Sequence, residues 1–396
     1  MSLRASGSIT ICDMTLANRG IPTSAGLLEK LSRAGFLSKH WQKRPLFVPG
    51  AIPDCGAWLQ PATLFELAAR DDVASRLVMR VRNRWTVHHG PFKRSEFRKL
   101  PRGGWTLLVQ GVEQYIPKSS DLLGFFSFIP HARLDDLMVS YAPPGGGVGP
   151  HFDSYDVFLL QGLGTRRWQI STQKNLQLVD DAPLRILKDF HSTQEWVTQR
   201  GDLLYLPPRC AHDGVALEEC MTLSVGFRAP RKLELASRFL EFLQDELPSG
   251  GALDGLYEDP DLQLQKHPAA LPPAMLEKIS RALMHIRWNA RDVAQFTGRY
   301  LSEPAHEAVF DRPRRPLALP NFVRQVSRNG ARLTLRTRML FHGGTVFING
   351  ESHPLPPQDR TALIRLADQR ATPAFMPSRA GAALLHAWYC AGYIVV

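Results

Sequence analysis

From about residue 76 to 230 the chain alternates short apolar runs with turns rich in Gly, Pro and Asp. WTLLVQ (105–110), LMVSYA (137–142), DVFLLQG (156–162), RRWQI (166–170), DLLYLPP (202–208) and MTLSVGF (221–227) each have the length and composition of one strand. Many short strands at this spacing predict an all-β barrel or sandwich rather than βαβ units.

The flanks read differently. Gly26 to Leu37 is patterned as a helix and leads through HWQKRPLFVPGA into a turn. After Arg228, Lys232–Leu247 reads as a helix that breaks at PSGG, Pro248 to Gly251. The loop GLYEDPDLQLQKHPAALPP follows, and then Leu276, Ile279, Leu283 and Ile286 recur at amphipathic helical spacing. A Pro/Arg linker, DRPRRPLALP (311–320), opens a small α+β unit. There RLTLRTR and GTVFING alternate like strands, TALIRLADQR reads as a helix, and a terminal helix ends in the strand YIVV. The unit looks like a winged-helix module. The predicted class is α+β and β-rich, divided into 1–230 (β domain with a helical N-terminal segment), 231–310 (helical) and 311–396 (winged-helix-like). No internal repeats are evident.

The 396 residues are 44% apolar and 21% charged, which excludes intrinsic disorder as the main state. The first twenty residues contain no continuous apolar stretch of the kind a secretory signal requires. The C-terminal run 380–396 carries His386 and Gly392 and falls short of the ~20 residues of a spanning helix. Five scattered cysteines (12, 55, 210, 220, 390) form no CxxC pair, so neither a disulfide framework nor a zinc ribbon is expected. A reduced, cytoplasmic protein without a membrane partner is the expectation.

Candidate chemistry concentrates in PPGGGVGPHFDSYDVFLLQGLGTRRW, 143–168. His151 and Asp153 are two residues apart, which on a strand puts both side chains on one face. His212 follows 61 residues after His151, beyond DLLYLPP. Two imidazoles and one carboxylate on one face form the facial triad that holds Fe(II) and leaves positions open. Each residue also has a plainer reading: a loop histidine, a turn aspartate, a surface histidine beside Asp213. Arg166 and Arg167 are adjacent, so on a strand one of them faces the barrel and wants a carboxylate.

HFDSYDVFLLQGLGTRRW, GDLLYLPPRCAHDG and SVGFRAP together resemble the JmjC-type ribosomal oxygenases, in particular the bacterial YcfD-type arginine hydroxylases of a large-subunit ribosomal protein. FLSKHWQKRPLF (36–47), DDLMVSYAPPGGGVGP (135–150), YEDPDL (257–262) and the helical and winged-helix ending extend the resemblance over most of the chain. It implies a double-stranded β-helix (cupin/JmjC) core with Fe(II) at His151, Asp153 and His212. It also implies 2-oxoglutarate bound through Arg166, with Ser140 as a second contact or, equally, a structural hydroxyl. O2 and 2-oxoglutarate would then yield succinate, CO2 and a hydroxylated side chain. The implied partner is a large-subunit ribosomal protein, and the helical segment resembles the family's dimerisation region. Histidine hydroxylation and N-methyl demethylation remain alternatives within the class. A winged-helix regulator with a cupin sensor, or a cupin holding another metal, remains outside it.

Charge sharpens the substrate reading. The formal net charge is +11, yet residues 131–230 carry nine Lys and Arg against twelve Asp and Glu. Asp135 and Asp136 precede the strand that leads to the Gly-rich loop, and one of them is placed to meet a substrate guanidinium; two solvated turn residues are the plainer reading. The positive charge lies in 76–102, with nine Lys and Arg against one acid, and in 312–338, with eight Arg and no acid. Arg332, Arg336 and Arg338 of RLTLRTR would share one strand face, open either to nucleic acid or to solvent.

Overall fold

The computed structural model describes residues 32–81, 84–246, 255–305 and 308–396. Eleven strands form the N-terminal β domain: β1 (Leu46–Val48), β2 (Ser75–Val81), β3 (Arg84–His89), β4 (Trp105–Val109), β5 (Leu134–Ala142), β6 (Asp156–Leu163), β7 (Arg166–Ser171), β8 (Gln194–Thr198), β9 (Leu203–Leu206), β10 (Ala211–Ala216) and β11 (Cys220–Phe227). Eight of them form an antiparallel sheet in the order β1-β9-β6-β11-β5-β4-β2-β3. The second sheet, β10-β7-β8, is also antiparallel.

β11 and β9 are buried along their whole length and β6 nearly so, because the large sheet is covered on both faces. Its outer face packs Leu107, Val109, Leu137, Val139, Phe158, Leu160, Tyr205, Leu223 and Phe227 against the helical segments. The inner face carries Val157, Leu159, Leu204 and Leu206, which meet Trp168 and Ile170 of the small sheet. This two-layer antiparallel barrel is the expected double-stranded β-helix. At the β6–β7 turn Gly164 has φ +59, and a Cβ there would lie 2.0 Å from the carbonyl oxygen of Glu219, so only glycine fits.

The N-terminal helix runs Arg33–Lys39, with Ser32 as its cap and Phe36 fully buried among Trp41, Phe128, Phe158 and Tyr205. The part of the helical reading on 26–31 lies outside the described residues, as do Leu247 and the Pro248–Gly251 break. Helices Lys232–Glu246, Pro273–Leu283 and Ala290–Ser302 follow. The third packs its Gly298 on Phe347 and accepts Gly350 N at Ser302 Oγ, 3.1 Å.

The C-terminal module comprises helices Leu319–Asn329, Arg360–Gln369 and Arg379–Ala391. Two small sheets complete it, one of which pairs Ala331–Leu333 with Ala371–Thr372 and Ile394–Val395. Phe322, Val326, Leu363, Leu366, Leu385, Trp388 and Ile394 form its core. RLTLRTR departs from its alternation: the strand ends at Leu333 and the chain turns, Thr337 N donating to Thr334 O at 3.0 Å. Arg336 and Arg338 therefore do not share an open strand face with Arg332. Both point at the barrel, where Arg336 pairs with Asp72 at 3.0 Å and Arg338 donates to Asp135 O at 2.7 Å. A carboxylate and a carbonyl on the barrel outcompete solvent for these two guanidinium groups. Among the described residues no helix is long and apolar enough to cross a membrane.

Candidate iron and cosubstrate site

His151, Asp153 and His212 converge, each offering a ligand atom within 4.8 Å of the others. His212 lies on β10, a strand that the Asp and Gly of AHDGVA disguise. His151 is a single bridge residue and Asp153 sits in a loop, so the expected strand geometry for the HxD pair is not what aligns them. Instead, the backbones of His151 and His212 exchange hydrogen bonds at 2.9 and 2.8 Å, and Asp153 O accepts Arg209 N at 2.7 Å. The imidazole centroids are 4.2 Å apart, and His212 Nε2 lies 3.7 Å from Asp153 Oδ2.

Both rings are held by backbone carbonyls. His151 Nδ1 is 2.8 Å from Gly149 O, and His212 Nδ1 is 2.9 Å from Cys210 O. Each carbonyl fixes the proton on Nδ1 and leaves Nε2 as a free lone pair, the arrangement that metal-ligating histidines require. Burial first, and then competition with the neighbouring His151 for a proton, pushes the His212 pKa below the usual imidazole range against the pull of Asp153. The ring is therefore neutral at physiological pH, and a proton does not compete with a metal. A 2-His-1-carboxylate donor set of this kind fits Fe(II) with open positions.

The same inner face accounts for Arg166. In the β10–β7 pairing His212 sits opposite Ile170, Gly214 opposite Trp168 and Ala216 opposite Arg166, so the histidine and the arginine project to one side. Arg166 is 4% exposed; its Nη2 donates to Cys220 Sγ at 3.5 Å, and its Nε is buried with no partner. A buried guanidinium with an orphaned N–H fits a carboxylate that arrives with a ligand. Arg167 is only half-buried. Ser140, on β5, is buried and aims its hydroxyl at Thr222 O over 3.4 Å, a long bond that leaves it available to a ligand.

Polar side chains absent from the expected set complete the interior. Gln161 Oε1 accepts the hydroxyls of Thr222 at 3.0 Å and Thr198 at 3.3 Å, and Gln161 Nε2 donates to Leu163 O at 2.7 Å. Their signal in the sequence is a polar residue at an inward position of an otherwise apolar strand: Gln161 in DVFLLQG, Thr222 in MTLSVGF.

Asp135 and Asp136 stand at the start of β5 and diverge as their adjacency requires. Asp135 is exposed and paired with Arg228 at 3.2 Å. Asp136 is turned inward, with Oδ2 3.4 Å from Gly111 N. Burial and then Asp135 push its pKa up to about 6. Beside it Glu113 accepts Leu137 N at 2.9 Å, and burial followed by Asp136 pushes that carboxyl up to about 8. Tyr155, two residues beyond Asp153, is held protonated by burial and then by the charges of Asp153, Asp136 and Asp135. A cavity of about 1440 Å3 lies apart from the triad, between the barrel and the C-terminal module, with Glu113, Asp135 and Asp136 on one wall.

Residues 121–235 match the JmjC domain family, and residues 285–394 match the ROXA-like winged helix. The chain is 36% identical over 345 residues to the ribosomal protein uL16 3-hydroxylase of Escherichia coli K12, covering 86% of this chain and 89% of that one. The crystal structure of E. coli YcfD superposes with a TM-score of 0.81 at 34% identity, covering 92% of this chain and 98% of that one. The structure of YcfD in complex with cobalt and 2-oxoglutarate superposes at 0.78 and 34%, with the same coverage. With the triad and the buried Arg166 inside one barrel, these similarities identify the chain as a member of the JmjC-domain ribosomal oxygenase family.

Proposed function

We propose that this chain is an Fe(II)- and 2-oxoglutarate-dependent oxygenase that hydroxylates an arginine side chain of a large-subunit ribosomal protein. The observation that carries the reading is the pairing of a complete His151–Asp153–His212 cluster with Arg166, whose buried Nε has no partner, on one inner barrel face. The E. coli relative acts, by its name, on ribosomal protein uL16. Iron bound with 2-oxoglutarate and O2 supplies the oxidising power that turns a C–H into C–OH as succinate and CO2 are released.

The chain's own residues do the rest. His151 Nε2, His212 Nε2 and an Asp153 oxygen hold the metal. Arg166 receives the distal carboxylate of 2-oxoglutarate, and Ser140 adds a second contact. Trp168, Leu159 and Leu204 keep the interior dry, so these charges act at low dielectric. Of the two mouth acids, Asp136 is assigned to the substrate guanidinium, because Asp135 is already engaged by Arg228.

The proposed division is an oxygenase region 1–230, a helical pairing region 231–310 and a winged-helix-like region 311–396. In the pairing region Leu276, Ile279, Leu283, Met284 and Trp288 are exposed in the single chain. An apolar face of this kind on an amphipathic helix is the surface a second copy would cover, and a cytoplasmic homodimer is the proposed assembly. Nucleic acid is retained as a partner of segments 76–102 and 312–338, minus Arg336 and Arg338.

The test uses purified enzyme with Fe(II), 2-oxoglutarate and ribosomal proteins. One of these proteins gains one oxygen atom, and fragment spectra place it on arginine. Oxygen on histidine, or lost methyl groups, would move the assignment to the alternatives.

A further inference from the structure

The C-terminal module meets the barrel at the turn Leu335–Arg338, and that turn is tied from behind. Arg370 donates to Thr337 O, Thr334 O and Leu335 O at 3.0, 2.8 and 3.1 Å. Thr337, fully buried, donates its hydroxyl to Tyr393 O at 2.8 Å. The next residue's backbone is fixed as well, Arg338 N donating to Asn349 Oδ1 at 2.9 Å. Two arginines therefore leave a rigid base.

Their routes converge on one place. Arg338 Nη2 donates to Asp135 O at 2.7 Å, directly at the start of β5. Arg336 pairs with Asp72 Oδ2 at 3.0 Å and lies over the Tyr115 ring at 5.0 Å. Arg70 covers the same ring at 5.0 Å and grips Asp72 at 2.7 and 2.8 Å. Tyr115, whose hydroxyl donates to Asp72 O, closes the short helix Val112–Gln114. Within that helix Glu113 accepts Leu137 N at 2.9 Å, and just before it Gly111 N faces Asp136 Oδ2 at 3.4 Å. Both routes end on residues 135–137. Opposite them, a Cβ placed on Gly226 would lie 3.4 Å from Asp136 Oδ1 and 3.7 Å from the Tyr155 ring, so this segment packs beside Tyr155, two residues along the chain from Asp153.

We propose that Arg336 and Arg338 of the winged-helix module are positioning residues for the oxygenase, setting the β5 lead that presents Asp136 to the protein substrate. The inference rests on the proposed function, and it assigns the module a part in hydroxylation rather than only in nucleic-acid contact. Their side chains bond to Val309 O, Asp72 and Asp135 O, none of them a triad residue or Arg166, so their effect falls on the β5 lead and not on the barrel interior.

The experiment measures steady-state hydroxylation of the modified ribosomal protein by full-length wild type, R338M, R338K and R336M. Alongside it, 2-oxoglutarate turnover is followed without protein substrate. For R338M the KM for the protein substrate rises about tenfold, as expected for a lost charge-assisted hydrogen bond, while kcat and the KM for 2-oxoglutarate stay within about twofold. R338K, which keeps a donor, falls between, and R336M moves the same parameter. An unchanged protein-substrate KM in R338M and R336M overturns the inference. So does a parallel loss of 2-oxoglutarate turnover or of folding in all three variants, since that marks a purely structural role. A wild type that modifies no ribosomal protein overturns the function and this inference together; a working wild type with unaffected variants overturns this inference alone.

Discussion

His151 and His212 are clamped to each other by two backbone hydrogen bonds, His151 N to His212 O at 2.9 Å and His212 N to His151 O at 2.8 Å. The separation of the two imidazoles is therefore set by main chain, and the metal has only to enter a geometry that already exists. Asp153 is added by the loop that Arg209 N holds at 2.7 Å. Removing a ligand removes the metal site while leaving the clamp in place. Asp153→Ala and His212→Ala are expected to abolish 2-oxoglutarate turnover with little change in the far-ultraviolet circular dichroism spectrum.

The clamp's strand can be disturbed without touching a ligand. Gly214 lies two residues from His212 on β10, opposite Trp168, and a Cβ there would come within 2.4–2.8 Å of the indole ring. Gly214→Ala therefore has to displace Trp168 or the strand, costing roughly 1–3 kcal/mol. Equilibrium titration with Fe(II) should show affinity reduced by about 10–100-fold, the usual size of an effect on ligand orientation. Unaltered affinity would show that β10 tolerates the shift.

Arg166 is a buried cation whose Nε has no hydrogen-bond partner within the chain. Arg166→Met removes one side of a buried charge pair in the liganded state, a loss of roughly 2–5 kcal/mol, so the KM for 2-oxoglutarate should rise at least ~30-fold. Iron affinity measured without cosubstrate should be unchanged, because Arg166 is separated from His212 by the Gly214–Trp168 pair. Cosubstrate titration of wild type and variant by stopped assay checks both statements.

Much of this was legible in the sequence, for a physical reason. Strands buried on both faces, such as DVFLLQG and MTLSVGF, show as unbroken apolar runs, and their polar exceptions, Gln161 and Thr222, turned out to line the interior. β10 was not legible, since AHDGVA carries the Asp and Gly of a turn and owes its strand state to pairing with β7. The two-residue spacing of His151 and Asp153 predicts a shared strand face, whereas the bridge to His212 and a loop align them. The alternation of RLTLRTR also misled, because Arg336 and Arg338 are polar residues that found partners on the barrel, which no local pattern records.

Glu113 makes stability depend on pH. Burial, then Asp136, raises its pKa from 4.5 to about 8 in the fold. Between those values the unfolded chain has lost a proton that the folded chain keeps, so the contribution to stability is full below about 4.5 and declines as pH rises toward 8. Asp136, raised from 3.8 to about 6, acts in the same direction over its lower window. Urea midpoints measured from pH 5 to 8.5 should fall in wild type, and Glu113→Gln should flatten much of that slope. A slope unchanged by the variant would contradict the assignment.

The exposed face of the helix Pro273–Leu283 carries the pairing proposal. Leu276, Ile279 and Leu283 are 51%, 42% and 60% exposed, which for three large aliphatic side chains on one helix face is costly in a monomer. Replacing Leu276 and Leu283 together by Glu should convert a dimer to a monomer in light scattering. A wild type that is monomeric at micromolar concentration would remove the proposal.

The central claim is tested most directly by intact-mass analysis of ribosomal proteins after incubation with the enzyme, Fe(II), 2-oxoglutarate and O2. One large-subunit protein should gain a single oxygen atom, with the gain lost in Asp153→Ala. No mass gain on any ribosomal protein, under conditions where the enzyme turns over 2-oxoglutarate, would contradict the account.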